Sequence, residues 1–295
     1  MNRRTPLTPY LFIFPSAAIF LLFIVWPALQ GFYQSLFRRG VIVRNDIPAL
    51  AAEFVGLGNF RQLLHDERFL AVLGRTIVYT SVTVPLVVLV ALGLALLLRD
   101  TFPGVGIVRA IVYWPSMVSL IIVGISWKWI LGFESGVANY LMTQLGLAKV
   151  PWLLDPTIAL ATVVLVSVWA TAGFFMVIFI AGLNAIPDVY YEAATIDGCG
   201  SLQLFRHITA PLLKPTTVLV VILATINAFK VFEQVIVLTD GGPGRATVFM
   251  VQNIYEEAFR HPFGVGYASA QSVVFFFIML LFAFVQFRMT RGGEA

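Results

Sequence analysis

Six stretches of this chain are apolar for long enough to cross a lipid bilayer, and that limits the fold more than any motif does. A spanning helix needs roughly 20 mostly apolar residues. Runs of that kind lie at about 10 to 33, 73 to 98, 107 to 131, 158 to 182, 213 to 238 and 268 to 289. The chain is 59% hydrophobic and 12% charged, with a mean hydropathy of +0.91, against about 25% charged residues in an ordinary soluble domain. The sequence therefore predicts an all-α membrane protein of about six transmembrane helices, organised as a single transmembrane domain over 1–295 with no second soluble domain.

The opening Met1-Asn2-Arg3-Arg4 before an apolar run, with Ser16-Ala17-Ala18 following, has the form of a secretory signal. The run continues past those small residues through Phe20 to Pro27, so an uncleaved first helix is expected. The single cysteine, Cys199, excludes an intrachain disulfide and a cage of several thiolates. A net charge of +4 could suit nucleic acid, but the basic residues stand singly in the loops, which fits contact with lipid headgroups and no nucleic-acid partner. Arg3 and Arg4 beside the first span, and the higher density of basic residues on the shorter side, favour a multi-pass chain with both termini cytoplasmic. Three substantial segments, about 34 to 72, 132 to 157 and 239 to 267, are then outside. In the last of these, Phe249, Ile254, Tyr255 and Phe259 could line one side of a surface helix that carries Glu256 and Glu257 elsewhere.

Between the fourth and fifth spans the chain is too polar to span and too patterned to be slack. It reads as helix, turn, helix. Pro187 suits a first helical position, Asp188 complements the positive end of the helix dipole, Gly198 and Gly200 supply a stop, and Ser201 can cap the second helix. Pro211 then marks the bend into span five. The middle of the first helix presents Glu192 beside Ala193 and Ala194, where small side chains allow a backbone to sit close inside another protein's groove and a charge fixes the register. An amphipathic connector lying on the membrane surface through Tyr190, Tyr191, Leu202, Phe205 and Ile208 would use the same stretch.

Glu192-Ala193-Ala194, three residues, Gly198, nine residues, Ile208 and then Pro211 resembles the EAA loop of permease subunits of binding-protein-dependent ABC importers. The resemblance covers nearly the whole chain and points to the MalF-like sugar-permease branch, with the type I ABC importer permease fold. Tyr10-Leu11-Phe12-Ile13-Phe14-Pro15, Trp26-Pro27, Phe54-Val55-Gly56-Leu57-Gly58-Asn59-Phe60, Thr239-Asp240-Gly241-Gly242-Pro243 and Gly266-Tyr267-Ala268-Ser269-Ala270 carry it. The family pattern has Leu where Ala210 stands, often Gly at Asp240 and often Asn at Arg75. The resemblance implies a coupling loop over about 184 to 212, with Glu192, Ala193, Ala194, Asp197, Gly198, Ile208 and Pro211 as its contacts to an ATPase. It also implies a second homologous permease, two ATP-binding subunits, an extracytoplasmic solute-binding protein and a carbohydrate substrate, in a bacterial or archaeal cytoplasmic membrane. This chain contains no Gly-x-x-x-x-Gly-Lys-Ser/Thr phosphate loop, so ATP and Mg are expected on the partner and no cofactor or catalytic residue here.

A charge at mid-bilayer costs about 2.5 to 3.5 kcal/mol on insertion scales, so polar residues inside a span need a reason. In span five Asn227, Lys230 and Gln234 fall at helical spacing on one face, and Glu233, three residues beyond Lys230, is close enough to pair with it. These four residues are candidates for substrate contact, or for a structural ion pair facing a partner permease. Lys128 between Trp127 and Trp129 is expected to snorkel to headgroups within an aromatic belt. Ser167, Thr171, Ser269, Gln271 and Ser272 are weaker candidates, since small hydroxyls are ordinary packing residues between membrane helices. His65, His207 and His261 lack metal-ligand spacing. Two rivals remain at this point: a secondary transporter whose Lys230 and Glu233 handle a coupling proton, and a membrane enzyme, for which the spans supply no histidine base.

Overall fold

A computed structural model describes residues 8–44, 47–100, 102–261 and 264–291. Arg3 and Arg4, the charges used for orientation, lie outside the described residues. Long helices dominate, as hydrocarbon requires of segments that must satisfy their own backbone groups. Four are long and apolar enough to cross a membrane: α1 (Tyr10–Gln34), α3 (Glu67–Leu97), α7 (Pro156–Asn184) and α13 (Gly264–Arg291). Two bent helix pairs bring the total to as many as six when each is counted as one span. Between them lie α2 (Gly58–His65), α4 (Val105–Tyr113), α5 (Leu120–Ile130), α6 (Val137–Gln144), α8 (Asp188–Ile196), α9 (Ser201–Leu212), α10 (Lys214–Phe229), α11 (Glu233–Leu238) and α12 (Met250–Arg260).

The third expected span is not straight. Val105–Met117 and Leu120–Ile130 meet at 98°, around the Trp114–Met117 turn that holds Pro115. Eleven residues of α5 cover only about 16 Å, too little to cross alone. The fifth is also interrupted. Ser201–Leu212 and Lys214–Phe229 are bent by 67°, and helix stops again after Phe229, with Lys230 at φ −87°, ψ 7° and Phe232 at φ −155°, ψ −60° before α11 begins. The expected bend at Pro211 therefore falls at Leu213, just before Pro215.

Contacts divide the chain into two compact units, 1–70 with 253–278 and 71–252 with 279–295. Among the described residues, the first unit contains an element that an all-helical reading leaves out: strands β1 (Phe37–Arg44) and β2 (Ile47–Phe54), paired antiparallel with Phe37 opposite Phe54 and Arg44 opposite Ile47. Its sequence signal is the β-branched run Val41-Ile42-Val43. Asn59, the asparagine of the Gly-Asn-Phe stretch, is buried and donates to the carbonyls of Ser35 (2.8 Å) and Phe37 (3.1 Å), tying α2 to the start of β1. Asp66 caps α3 by accepting from the backbone amides of Arg68 (2.9 Å) and Phe69 (3.2 Å), and Tyr267 donates to its other oxygen.

In the 249–259 helix the apolar residues expected on one side divide: Phe249 is buried and Ile254 half-buried. Asn253 and Glu256 are buried, whereas Tyr255 and Phe259 are exposed, Phe259 by 76%. Specific partners explain this: Glu256 pairs with Arg68 at 3.5 Å and lies 4.0 Å from Arg260, and Asn253 donates to Gln271 at 3.0 Å. A buried carboxylate is tolerable when paired. Ser269 and Ser272 spend their hydroxyls on their own helix, at Val265 and Ala268.

The second unit holds the main apolar core. It is built on α7, whose Val163, Phe175, Met176, Phe179 and Leu183 meet Ala91 and Ala95 of α3, Val220 of α10 and Leu238 of α11. Two-thirds of the most apolar window of α7 is buried, and none of that of α1. Because lipid is as apolar as leucine, such contacts hold by close fit instead of water exclusion. Gly124 shows the tightness: a Cβ there would stand 2.8 Å from the Gln234 carbonyl oxygen, so only glycine lets α5 and α11 approach.

Candidate functional site

Two places in the second unit collect the residues singled out by sequence. The first is a cavity of about 420 Å³. Asn227 at the end of α10, Lys230 in the break, and Glu233 and Gln234 at the start of α11 all line it, together with Tyr79 and Thr83 from α3 and Ser167 and Thr171 from α7. The break in span five has two consequences. It turns these four side chains into one space, and it removes the i, i+3 relation that was to pair Lys230 with Glu233. No ion pair joins them; Lys230 and Glu233 are exposed and Gln234 is buried. Asn227, also exposed, completes the open part of the lining.

The deep wall is a hydrogen-bonded chain. Tyr79 donates to Ser167 at 2.7 Å, Gln234 Nε2 donates to the same Ser167 oxygen, and Ser167 donates to the Val163 carbonyl at 2.7 Å. Tyr79 stacks on Phe249 at 4.6 Å between ring centres. Sequence reading passed over Tyr79 although the signal was there. Thr76, Tyr79, Thr80 and Thr83 recur at helical spacing in an otherwise apolar span.

Lys128 has a partner within the chain. It donates to the Val237 carbonyl at 3.1 Å, in the last turn of α11, where the helix dipole favours a cation. Trp127 packs edge-on against Trp169, and Trp129 remains exposed. Arg75 likewise reaches a backbone group, donating to the Arg245 carbonyl at 2.7 Å across the 239–247 loop. In that loop Asp240 stands at φ +50°, a conformation that favours the glycine of the family pattern.

The second place is the polar loop. The helix α8 begins one residue later than expected: Pro187 is its cap and Asp188 its first residue. It ends as the glycine pattern requires. Gly198 takes φ +80°, its amide donates to the Thr195 carbonyl at 3.1 Å, and the Cys199 amide donates to that of Ala194 at 3.0 Å. Gly200, not Ser201, caps α9, and its amide donates to the Gln203 side chain at 2.8 Å.

Only one edge of α8 is fixed. Arg99 lies 3.6 Å from Asp188 and 4.8 Å from the Tyr191 ring centre, and the Tyr191 hydroxyl is 3.1 Å from that of buried Thr209. Arg109 steadies this anchor by donating to the carbonyls of Leu98 (2.6 Å) and Arg99 (3.0 Å). Glu192, Ala193, Asp197 and Gly198 are exposed, Ala194 and Ile208 half-buried. Ile196 is 86% and Leu202 78% exposed, large apolar side chains displayed by a polar loop. The histidines bond locally, His65 to the Arg61 carbonyl and His207 to that of Gln203.

Residues 54–291 match the family model described as binding-protein-dependent transport system inner membrane component. The chain is 36% identical over 282 residues to the trehalose/maltose transport system permease protein MalF of Thermococcus litoralis, covering 96% of this chain and 93% of the relative. It is 34% identical over 285 residues to the sn-glycerol-3-phosphate transport system permease protein UgpA of Agrobacterium fabrum, covering 95% and 93%. In fold it resembles a chain of the bacterial alginate ABC transporter in complex with alginate pentasaccharide-bound periplasmic protein, with a TM-score of 0.81 at 22% identity over 96% of this chain and 93% of that one. These matches leave no support for the proton-coupled transporter that Lys230 and Glu233 had suggested. The chain belongs to the inner membrane components of binding-protein-dependent transport systems, and is a permease subunit of the ABC importer type.

Proposed function

We propose that this permease imports a carbohydrate, either a mono- or oligosaccharide or a related polyol or glycerol phosphate, as one membrane domain of an ATP-driven complex. It forms the path with a second homologous permease. Two ATP-binding subunits, which hold the ATP and Mg, engage its 184–212 loop from the cytoplasm, where both termini also lie, and an extracytoplasmic binding protein delivers the substrate.

The observation that carries this reading is α8: a short helix anchored along one edge by Arg99 and Thr209 and open along the other, with Glu192 and Ile196 uncovered. A connector lying on a membrane would bury large apolar side chains in it, whereas here Glu192 is exposed on the same helix as Ile196. Glu192, Ala193, Ala194, Asp197, Gly198, Ile208 and Pro211 are then the ATPase-facing set. Asn227, Lys230, Glu233 and Gln234 are the substrate-facing set, in a cavity offering both donors and acceptors, as hydroxyl-rich ligands require. The named substrates of the two relatives, trehalose/maltose and glycerol phosphate, support that class.

Reconstitution in vesicles tests the reading. Uptake of a labelled sugar should require ATPases and ATP on one face and binding protein on the other. Uptake by the chain alone under a proton gradient would overturn it.

A further inference from the structure

The wall of the cavity has a fixed chemical polarity. Ser167 Oγ has one proton and two lone pairs, and all three are committed: the proton to the Val163 carbonyl, the lone pairs to Tyr79 and to Gln234 Nε2. Turning the Gln234 amide over would set its oxygen against a serine lone pair. The amide is therefore held with nitrogen toward Ser167 and Oε1 away from it. Oε1 is buried and has no hydrogen-bond partner among the described residues, although Gln234 is only 3% exposed. Burying an acceptor without a partner is unfavourable, a cost that a ligand donor would remove.

We propose that Tyr79 and Ser167 are positioning residues that lock Gln234 as a hydrogen-bond acceptor, and that its Oε1 receives the proton of one hydroxyl of the transported molecule. The inference rests on the placement of substrate in this cavity. It adds a specificity rule: one end of the ligand must present a neutral hydroxyl, while an anionic oxygen, having no proton to give, is excluded there. Any charged group on the substrate is left to the exposed part of the lining, at Lys230.

The test uses the assembled importer with its ATPases and binding protein in vesicles. The probes are maltose, trehalose, glucose and glycerol 3-phosphate, each beside analogues in which one hydroxyl is replaced by fluorine, which cannot donate. For the transported member, one position should prefer hydroxyl over fluorine by about tenfold, the size of one lost hydrogen bond to a buried acceptor. Ser167→Ala should shrink that preference to within about twofold at that position alone. Ser167→Thr, which keeps the hydroxyl, should retain it. Tyr79→Phe, which preserves the stack on Phe249, should fall between. The binding protein is common to all variants, so its own selectivity cancels. An unchanged preference in Ser167→Ala and Tyr79→Phe, whether or not uptake is slowed, would overturn the lock and leave the cavity assignment standing. A transported probe that shows no position at which fluorine is disfavoured in the unmodified importer would remove the substrate from this wall of the cavity, and the lock with it.

Discussion

The polar loop over 184–212 and the cavity are built on opposite plans. The loop is local: α8, its glycine stop and α9 follow one another within 188–212, and their bonds reach few residues elsewhere, notably Arg99. The cavity is assembled from α3, α7, α10 and α11, and its deepest bonds join positions 67 and 88 residues apart. A local element exposes what it offers, because nothing else covers it. A non-local one can bury a polar group and fix its orientation. A surface for docking and a pocket for selection call for those two constructions respectively.

The largest expected effect breaks the loop side of this comparison. Glu192→Lys reverses the exposed charge in the middle of α8, and should cut ATPase capture and transport at least tenfold while membrane insertion and cavity properties stay normal. Co-purification with the ATPase measures it; undiminished capture would mean that α8 is not the docking element. Next comes the cavity. Lys230→Ala should weaken uptake roughly tenfold without changing assembly, because among the described residues Lys230 makes no ion pair whose loss would disturb the structure. If the paired complex instead falls apart on a sizing column, the residue belongs to a subunit interface.

Gly124→Val joins stability to the cavity. The added side chain would meet the Gln234 backbone, within 2.8 Å at Cβ, and overpacking of this kind costs about 1 to 3 kcal/mol. A lower melting midpoint in detergent with impaired transport is expected. An unchanged midpoint would show that α5 and α11 can separate freely.

The loop was legible in sequence nearly to the residue because its signals are local: a proline and an aspartate at one end, glycines at the other. The misplaced details, Pro187 as cap instead of first residue and Gly200 instead of Ser201, are shifts of one position. The cavity was half legible. Asn227, Lys230, Glu233 and Gln234 stood out as polar residues in an apolar run, but their geometry was drawn on a continuous helix. The stop after Phe229 leaves no proline or glycine trace between 227 and 238, and the close approach of α5 at Gly124 is a tertiary fact. The burial of Glu256 in α12 has the same origin, since only the fold brings Arg68 to it.

Arg99→Ala separates the two edges of α8 and should act more weakly than Glu192→Lys. Asp188 is largely exposed, and a surface pair of this kind is worth about 0 to 1 kcal/mol, with a further contribution of about 0.5 to 1 kcal/mol from the stacked Tyr191 ring. A two- to fivefold loss of ATP-driven transport is expected, with ATPase capture retained; equal loss of both would mean that the anchored edge also forms part of the docking surface.

The smallest effect concerns the 239–247 loop. Asp240 holds φ +50°, where a left-handed backbone costs an ordinary side chain about 1 to 2 kcal/mol and aspartate somewhat less. Glycine removes that cost but loses more conformational entropy on folding, by about 0.5 to 1 kcal/mol. The terms nearly cancel, so Asp240→Gly should raise stability by no more than about 1 kcal/mol and leave transport unchanged. A melting curve of the purified subunit decides the sign. A fall in stability would show that the aspartate side chain contributes more to this turn than its backbone conformation costs.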